Sequence, residues 1–92
     1  MNKTYFELSG YQSPEIVNNG NEINIKRGFQ TFNLNHLGDN ARNIISILSQ
    51  QWEYKVAINW INNQPIIVKS KMIGVINTLF ANRIIRITYV KD

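Results

Sequence analysis

"YKVAINWINNQPIIV", residues 54–68, decides how the second half of this chain is built. Alternate residues here are bulky and apolar, so Tyr54, Val56, Ile58 and Trp60 share one face of an extended strand while Lys55, Ala57, Asn59 and Ile61 take the other. Asn62-Asn63 follows, and asparagine tolerates the positive φ of a tight hairpin turn. Residues 64–68 are therefore expected to return as the partner strand. Pro65 has no N–H for a ladder, which assigns that strand to a sheet edge or turns the position away from its neighbour.

Upstream, "LGDNARNIIS", residues 37–46, opens a helix. Asp39 or Asn40 can cap it, because a side-chain oxygen there accepts from an unpaired N–H of the first turn. Ala41, Ile44, Ile45, Leu48 and Trp52 then recur on one face of a 3.6-residue period, and Arg42, Asn43, Ser46, Ser49 and Gln50 form the wet side. Downstream, "SKMIGVINTLF", residues 70–80, begins with a serine able to cap and sets Met72, Ile73, Ile76, Leu79 and Phe80 at helical spacing. Gly74 makes this a weak, short helix. "RIIRITYV", residues 83–90, alternates again and reads as a closing strand.

Before residue 36 the signals are shorter. Residues 29–35 read as a strand with Phe32 and Leu34 inward. "EINIK" at 22–26 alternates Ile23 and Ile25, "NNGN" at 18–21 is a turn signal, and "TYFEL" at 4–8 is a further candidate strand. No internal repeat or low-complexity tract is recognised beyond an excess of asparagine and isoleucine. That excess fits an AT-rich coding sequence, as in a low-GC bacterium or its phage.

Composition narrows the chemistry. A chain of 92 residues makes one domain with one modest core. With no cysteine, disulfides, thiol nucleophiles and cysteine-ligated metals are excluded. One histidine, His36, and six scattered acidic residues do not make a zinc or calcium site, which needs several converging ligands. No Gly-rich phosphate loop, carboxylate pair or Ser/His/Asp set is recognisable. The expectation is a protein that is not an enzyme and holds no cofactor. "MNKTYFELSGYQ" lacks the apolar run of a signal peptide, and no window reaches the roughly 18 apolar residues of a spanning helix, so a soluble cytoplasmic protein is expected.

Charge is uneven. Residues 1–40 carry three basic and four acidic groups and residues 41–92 seven and two, so the net +4 is a first half at −1 plus a second half at +5. That half, with Trp52, Tyr54 and Trp60 as stacking platforms, supports a small basic nucleic-acid-binding protein as one reading. Its cations stand singly, with no cluster longer than "KSK", and a solvated surface accounts for them equally well.

From Phe29 onward the order of strand, helix, strand, tight turn, strand, short helix and strand resembles the HPr family of phosphotransferase-system phosphocarriers. "GDNARN" resembles that family's Gly-x-His-Ala-Arg-Pro active-site motif. "INWINNQPIIVKS" resembles its second and third strands with their Asn-Gly turn and terminal Lys-Ser. "KSKMIGVI" resembles the segment bearing its regulatory serine, and "NRIIRITYV" resembles its closing strand. The resemblance implies an α+β, HPr-like open-faced β-sandwich: a mostly antiparallel sheet, two helices on one face, an HPr-like domain at 29–92 and an N-terminal β extension at 1–28. The family's long C-terminal helix has no counterpart.

The functional residues change with it. The family's phosphate-accepting histidine corresponds to Asn40, whose carboxamide has no basic ring nitrogen and cannot carry a phosphoryl group. Asn40 and Arg42 are left as a degenerate phosphocarrier site, either a vestigial anion pocket at a helix mouth or a plain cap beside a solvated arginine. His36 reads as a loop or packing histidine. Ser70 corresponds to the serine that HPr kinase phosphorylates, or is a simple capping residue. Met72, Ile73 and Ile76, with Trp60 at the hairpin tip, are the candidate partner-binding residues, although helical spacing also fits core. The implied function is a non-catalytic HPr-like binding or regulatory module, similar in kind to the family's catabolite-repression members that lack the active histidine, or a phage-encoded mimic. Its partner would be another protein, such as a regulator, kinase or host factor, or a second copy covering the open sheet face as a homodimer.

Overall fold

The protein is an α+β fold with two antiparallel sheets and three α-helices, seen in a computed structural model that describes residues 2–91. β1 (Asn2–Leu8) comes first, then β2 (Glu15–Asn18), β3 (Ile23–Arg27) and β4 (Gln30–Asn33). A 3-10 turn at Asn35–Leu37 leads into α1 (Asn40–Leu48), α2 (Tyr54–Asn62) and α3 (Ile66–Ala81), and β5 (Ile85–Lys91) follows. β1 pairs with β5 to make a two-stranded ribbon, while β2, β3 and β4 form a meander in that order. Both pairings between β1 and β5 and between β3 and β4 cross the boundary at residue 28.

The expected hairpin over 54–68 is not formed: its first strand is α2, and the second lies in the first turns of α3. Two features of the chain explain the difference. Tyr54, Ala57, Ile58 and Ile61 fit a helical period as well as Tyr54, Val56, Ile58 and Trp60 fit a strand, and burial selects the former, with Ala57 and Ile61 in the core. The side chain of Glu53 accepts from the Lys55 N–H at 2.9 Å and caps α2. Pro65 stands just ahead of α3, where a missing N–H costs nothing and its carbonyl accepts the first helical bond from Lys69 at 2.9 Å. The consequence is three helices instead of two, and two separate sheets instead of one mostly antiparallel sheet.

α1 and α2 pack on β1, and α3 packs against α2 and β5. One core results, in which Phe6, Ile25, Leu34, Ile44, Met72 and Ile84 are among the buried residues. The strand expected over 29–35 is shortened to β4: Phe32 is half-buried in it and Leu34, just past its end, is buried, while Phe29 is left fully exposed in the β3–β4 turn. The expected turn at 18–21 is present, with Gly20 at φ 90° and Asn18 and Asn19 accepting from the N–H groups of Gly20 and Glu22.

Both α1 and α3 end with a non-glycine residue in the left-handed region. Gln50 (φ 63°) and Arg83 (φ 58°) follow their C-caps, Ser49 and Asn82. After α3, Arg83 N donates to Phe80 O at 3.0 Å and Ile84 N to Leu79 O at 2.9 Å, which is the Schellman pattern. Helix α1 closes the same way, with Gln50 N on Ile47 O and Gln51 N on Ser46 O. Trp52 therefore lies beyond the end of α1, not on its face.

Arg27 ties β3 to the turn between α3 and β5. It is 8% exposed, donates through Nε to Gln30 Oε1 at 3.1 Å and through Nη1 to Arg83 O at 3.2 Å, and lies under the Tyr11 ring. A buried guanidinium must have its donors met, and here two neutral oxygens and an aromatic face meet them.

Candidate protein-binding surface

An apolar groove of about 200 Å³ lies between α2, α3 and the β1–β5 ribbon. Its walls come from Tyr54 and Ile58 of α2, Ile73 and Phe80 of α3, and Phe6 and Ile87 of the ribbon. Phe6 is the centre of an aromatic floor, with ring centroids 5.0 Å from Tyr54 and 5.8 Å from Phe80, both tilted. The cross-strand pair Phe6↔Ile87 sets Ile87 beside that floor, and two residues on, Tyr89 stands opposite Thr4 on the same ribbon face. Ile73 is 37% exposed and Ile87 41%, so the rim is apolar and open to solvent, and Tyr89, 74% exposed, continues the ribbon face beyond it.

Of the residues the sequence singles out, only part meets at this groove. Ile73 and Ile76 line it, but Ile76 is buried and only Ile73 presents itself at the rim. Met72 is wholly buried in the core, because it points from α3 toward Leu79's side of the helix and not toward solvent. Trp60 is not at a hairpin tip; it is half-buried in α2 and makes an edge-to-face contact with Trp52, centroids 5.2 Å apart at 83°. Phe6, Ile58, Phe80 and Ile87 line the groove without having been singled out from the sequence as contact residues, and Tyr54 was singled out only as a stacking platform. Their signal was the alternation of 85, 87 and 89 in β5 together with the helical reading of 54, 57, 58 and 61.

The degenerate phosphocarrier residues lie elsewhere. Asn40 is the first residue of α1 and Asp39 its N-cap, and Asp39 makes no side-chain cap bond. The cap is unnecessary because the chain enters the helix from a turn: Ala41 N already donates to Gly38 O at 3.1 Å and Arg42 N to Asp39 O at 3.3 Å. Asn40 Oδ1 accepts from Asn43 Nδ2 at 3.2 Å instead. Two of the donors an anion would need are thus occupied, and the Asp39 carboxylate stands beside Arg42 in the shallow hollow there. Ser70 is exposed as the fifth residue of α3 and caps nothing, so a phosphate on it would sit within the helix and not at its positive end.

His36 is exposed in the 3-10 turn and lines a separate hollow of about 520 Å³ between β4 and α3, with Lys71, Thr31, Asn33 and Thr78. A lone imidazole and a lone ammonium with no carboxylate among the lining residues do not make an acid–base pair with an orienting partner. Among the described residues, no group of three His, Asp or Glu side chains converges as a metal site would require. Among the described residues no helix is long and apolar enough to cross a membrane. No family model, curated protein or solved structure matches this chain.

Proposed function

We propose that this chain is a non-catalytic protein-binding module whose contact surface is the groove between α2, α3 and the ribbon. The observation that carries the reading is the exposed apolar rim of Ile73 and Ile87 around an aromatic floor, with Tyr89 exposed farther along the same ribbon face. Contiguous apolar surface of this kind is what partner sites present, with aromatic and aliphatic anchors at the centre. An HPr-like identity has less behind it: the segments likened to that family's second and third strands are helical, and the residues likened to its two phosphorylation sites lie away from the groove. A regulatory role is therefore argued from the surface and not from Asn40, Arg42 or Ser70.

The nucleic-acid reading also loses its stacking platforms, since Trp52 and Trp60 pack on each other and Tyr54 packs on Phe6. Binding by scattered cations alone would fall steeply as salt rises, whereas an apolar contact would not.

The test is affinity purification of the tagged full chain from its native host, beside Ile73→Asp. Wild type is expected to retain a protein that Ile73→Asp loses, with both chains melting alike and the retained protein resisting a high-salt wash. Identical proteins on both chains, or a salt-labile nucleic acid on wild type, would overturn the proposal.

A further inference from the structure

The edge of β5 that faces away from β1 has no partner strand among the described residues. The edge of β1 is in a different state, because Ser49 bridges to Glu7 there and α1 and α2 pack on that strand. Natural edges are blunted by proline, bulges, brevity or free charges. β5 has seven residues, no proline and an unbroken register against β1, and its Arg86 is held by Glu7 at 2.6 Å. Lys91, at its end, is the other charged residue of the strand.

The direction of the backbone groups on that edge follows from one hydrogen bond. Ser9 N donates to Ile84 O at 2.8 Å, and the β1–β5 register carries through to this pair. Bonded and non-bonded pairs alternate in an antiparallel ladder, so Glu7↔Arg86, Tyr5↔Thr88 and Lys3↔Val90 are the bonded pairs of the ribbon. Ile85, Ile87, Tyr89 and Lys91 accordingly aim their N–H and C=O groups outward.

We infer that the occupant of this edge is a second copy of the chain, joined antiparallel through β5 with the two-fold axis at Thr88. This rests on the reading of the groove rim as a protein-binding surface and names its partner. In that register all four outward residues meet outward residues: Ile87 of one copy faces Tyr89 of the other, and Ile85 faces Lys91. About eight backbone hydrogen bonds form, and the ribbon becomes a four-stranded sheet. Arg86 falls opposite Val90, so no cation faces a cation. An axis at Arg86 would set two guanidiniums face to face, and an axis at Ile87 or Tyr89 would leave outward groups unpaired. Tyr89 of each copy lands beside Ile87 of the other on the face that carries Phe6, which covers the groove rim with an aromatic on β-branched pair.

The register is testable because the chain has no cysteine. Thr88 and its mate form a non-bonded pair with Cα atoms about 4.5 Å apart, within disulfide range. Two Val90 residues would be roughly 14 Å apart along the strands, beyond it. Wild type is expected to sediment as a concentration-dependent dimer, and Thr88→Cys to yield a disulfide-linked dimer on oxidation while Val90→Cys does not. Tyr89→Pro removes an outward N–H and spares the β1 ladder, so it is expected to be a folded monomer. A wild-type chain that is monomeric at every soluble concentration overturns the inference, as does equal cross-linking of the two cysteine variants. If that monomer still loses a host protein on Ile73→Asp, only the second copy is refuted; if no Ile73-dependent protein is found either, the groove reading falls with it.

Discussion

Gly74 is the ninth of the sixteen residues of α3, and replacing it with alanine should stabilise the protein. An added Cβ would meet nothing within 4 Å, and Gly74 does not occupy the left-handed region. The methyl group therefore brings neither clash nor strain. Glycine in a helix interior costs about 0.8–1.0 kcal/mol relative to alanine, largely because it gives up more backbone freedom on folding. With no opposing packing cost, Gly74→Ala should gain about 1 kcal/mol. For a domain of roughly 60–100 residues that raises the melting temperature by about 4–8 °C. Far-UV circular dichroism on heating measures it, and a urea titration with an unchanged m-value assigns the gain to the folded state's stability and not to altered compactness. An unchanged or lower midpoint would refute the argument, because it would mean that residue 74 is not inside an unbroken helix.

Three further substitutions probe neighbouring parts of the same account. Met72→Ala should cost about 2–5 kcal/mol in urea denaturation, as a large side chain with no exposure is removed from the core, whereas Ile73→Ala at the open rim should cost much less. Arg83→Gly should raise the urea midpoint: the left-handed conformation costs a non-glycine residue about 1–2 kcal/mol, and the extra unfolded-state freedom of glycine offsets roughly half of that. Asn40→Ala should change stability by no more than about 0.5 kcal/mol, well under the loss expected of a true N-cap, because no side chain caps α1; a loss above about 1 kcal/mol would show that Asn40 does cap.

The strands were legible where alternation is long and flanked by turn residues, as in β5 and in the β2–β3 turn at Asn18–Gly20. Helix α1 was legible from Ala41, Ile44 and Leu48, but its end was not. Gln50, an ordinary residue in a left-handed conformation, stops it without the glycine that normally announces such a stop, so the apolar period seemed to run on to Trp52. Over 54–61 two periods fit the same eight residues, and the Asn62-Asn63 turn signal that follows favoured the strand period. The decisive signals were Glu53 as a cap and Pro65 one step ahead of a helix, and a proline inside a supposed strand already argued against it. The groove was hidden for a related reason: it joins Phe6 to Tyr54, Phe80 and Ile87, and only the pairing of β1 with β5 brings those distant residues together.

That pairing also sets a timetable. Glu7 and Arg86 meet across 79 positions of sequence, and every other pair in the ribbon closes a loop of similar span. A chain emerging from a ribosome must hold Phe6 and Leu8 without their strand partner until residues 85–91 have been made. Helices α1, α2 and α3 can form locally in the interval, but the ribbon that joins them to β1 closes last and slowly, since long-range pairing bears the full entropy of loop closure. Until then the aromatic floor of the groove lies open, and synthesis, more than equilibrium stability, is the stage at which this protein is most exposed to aggregation.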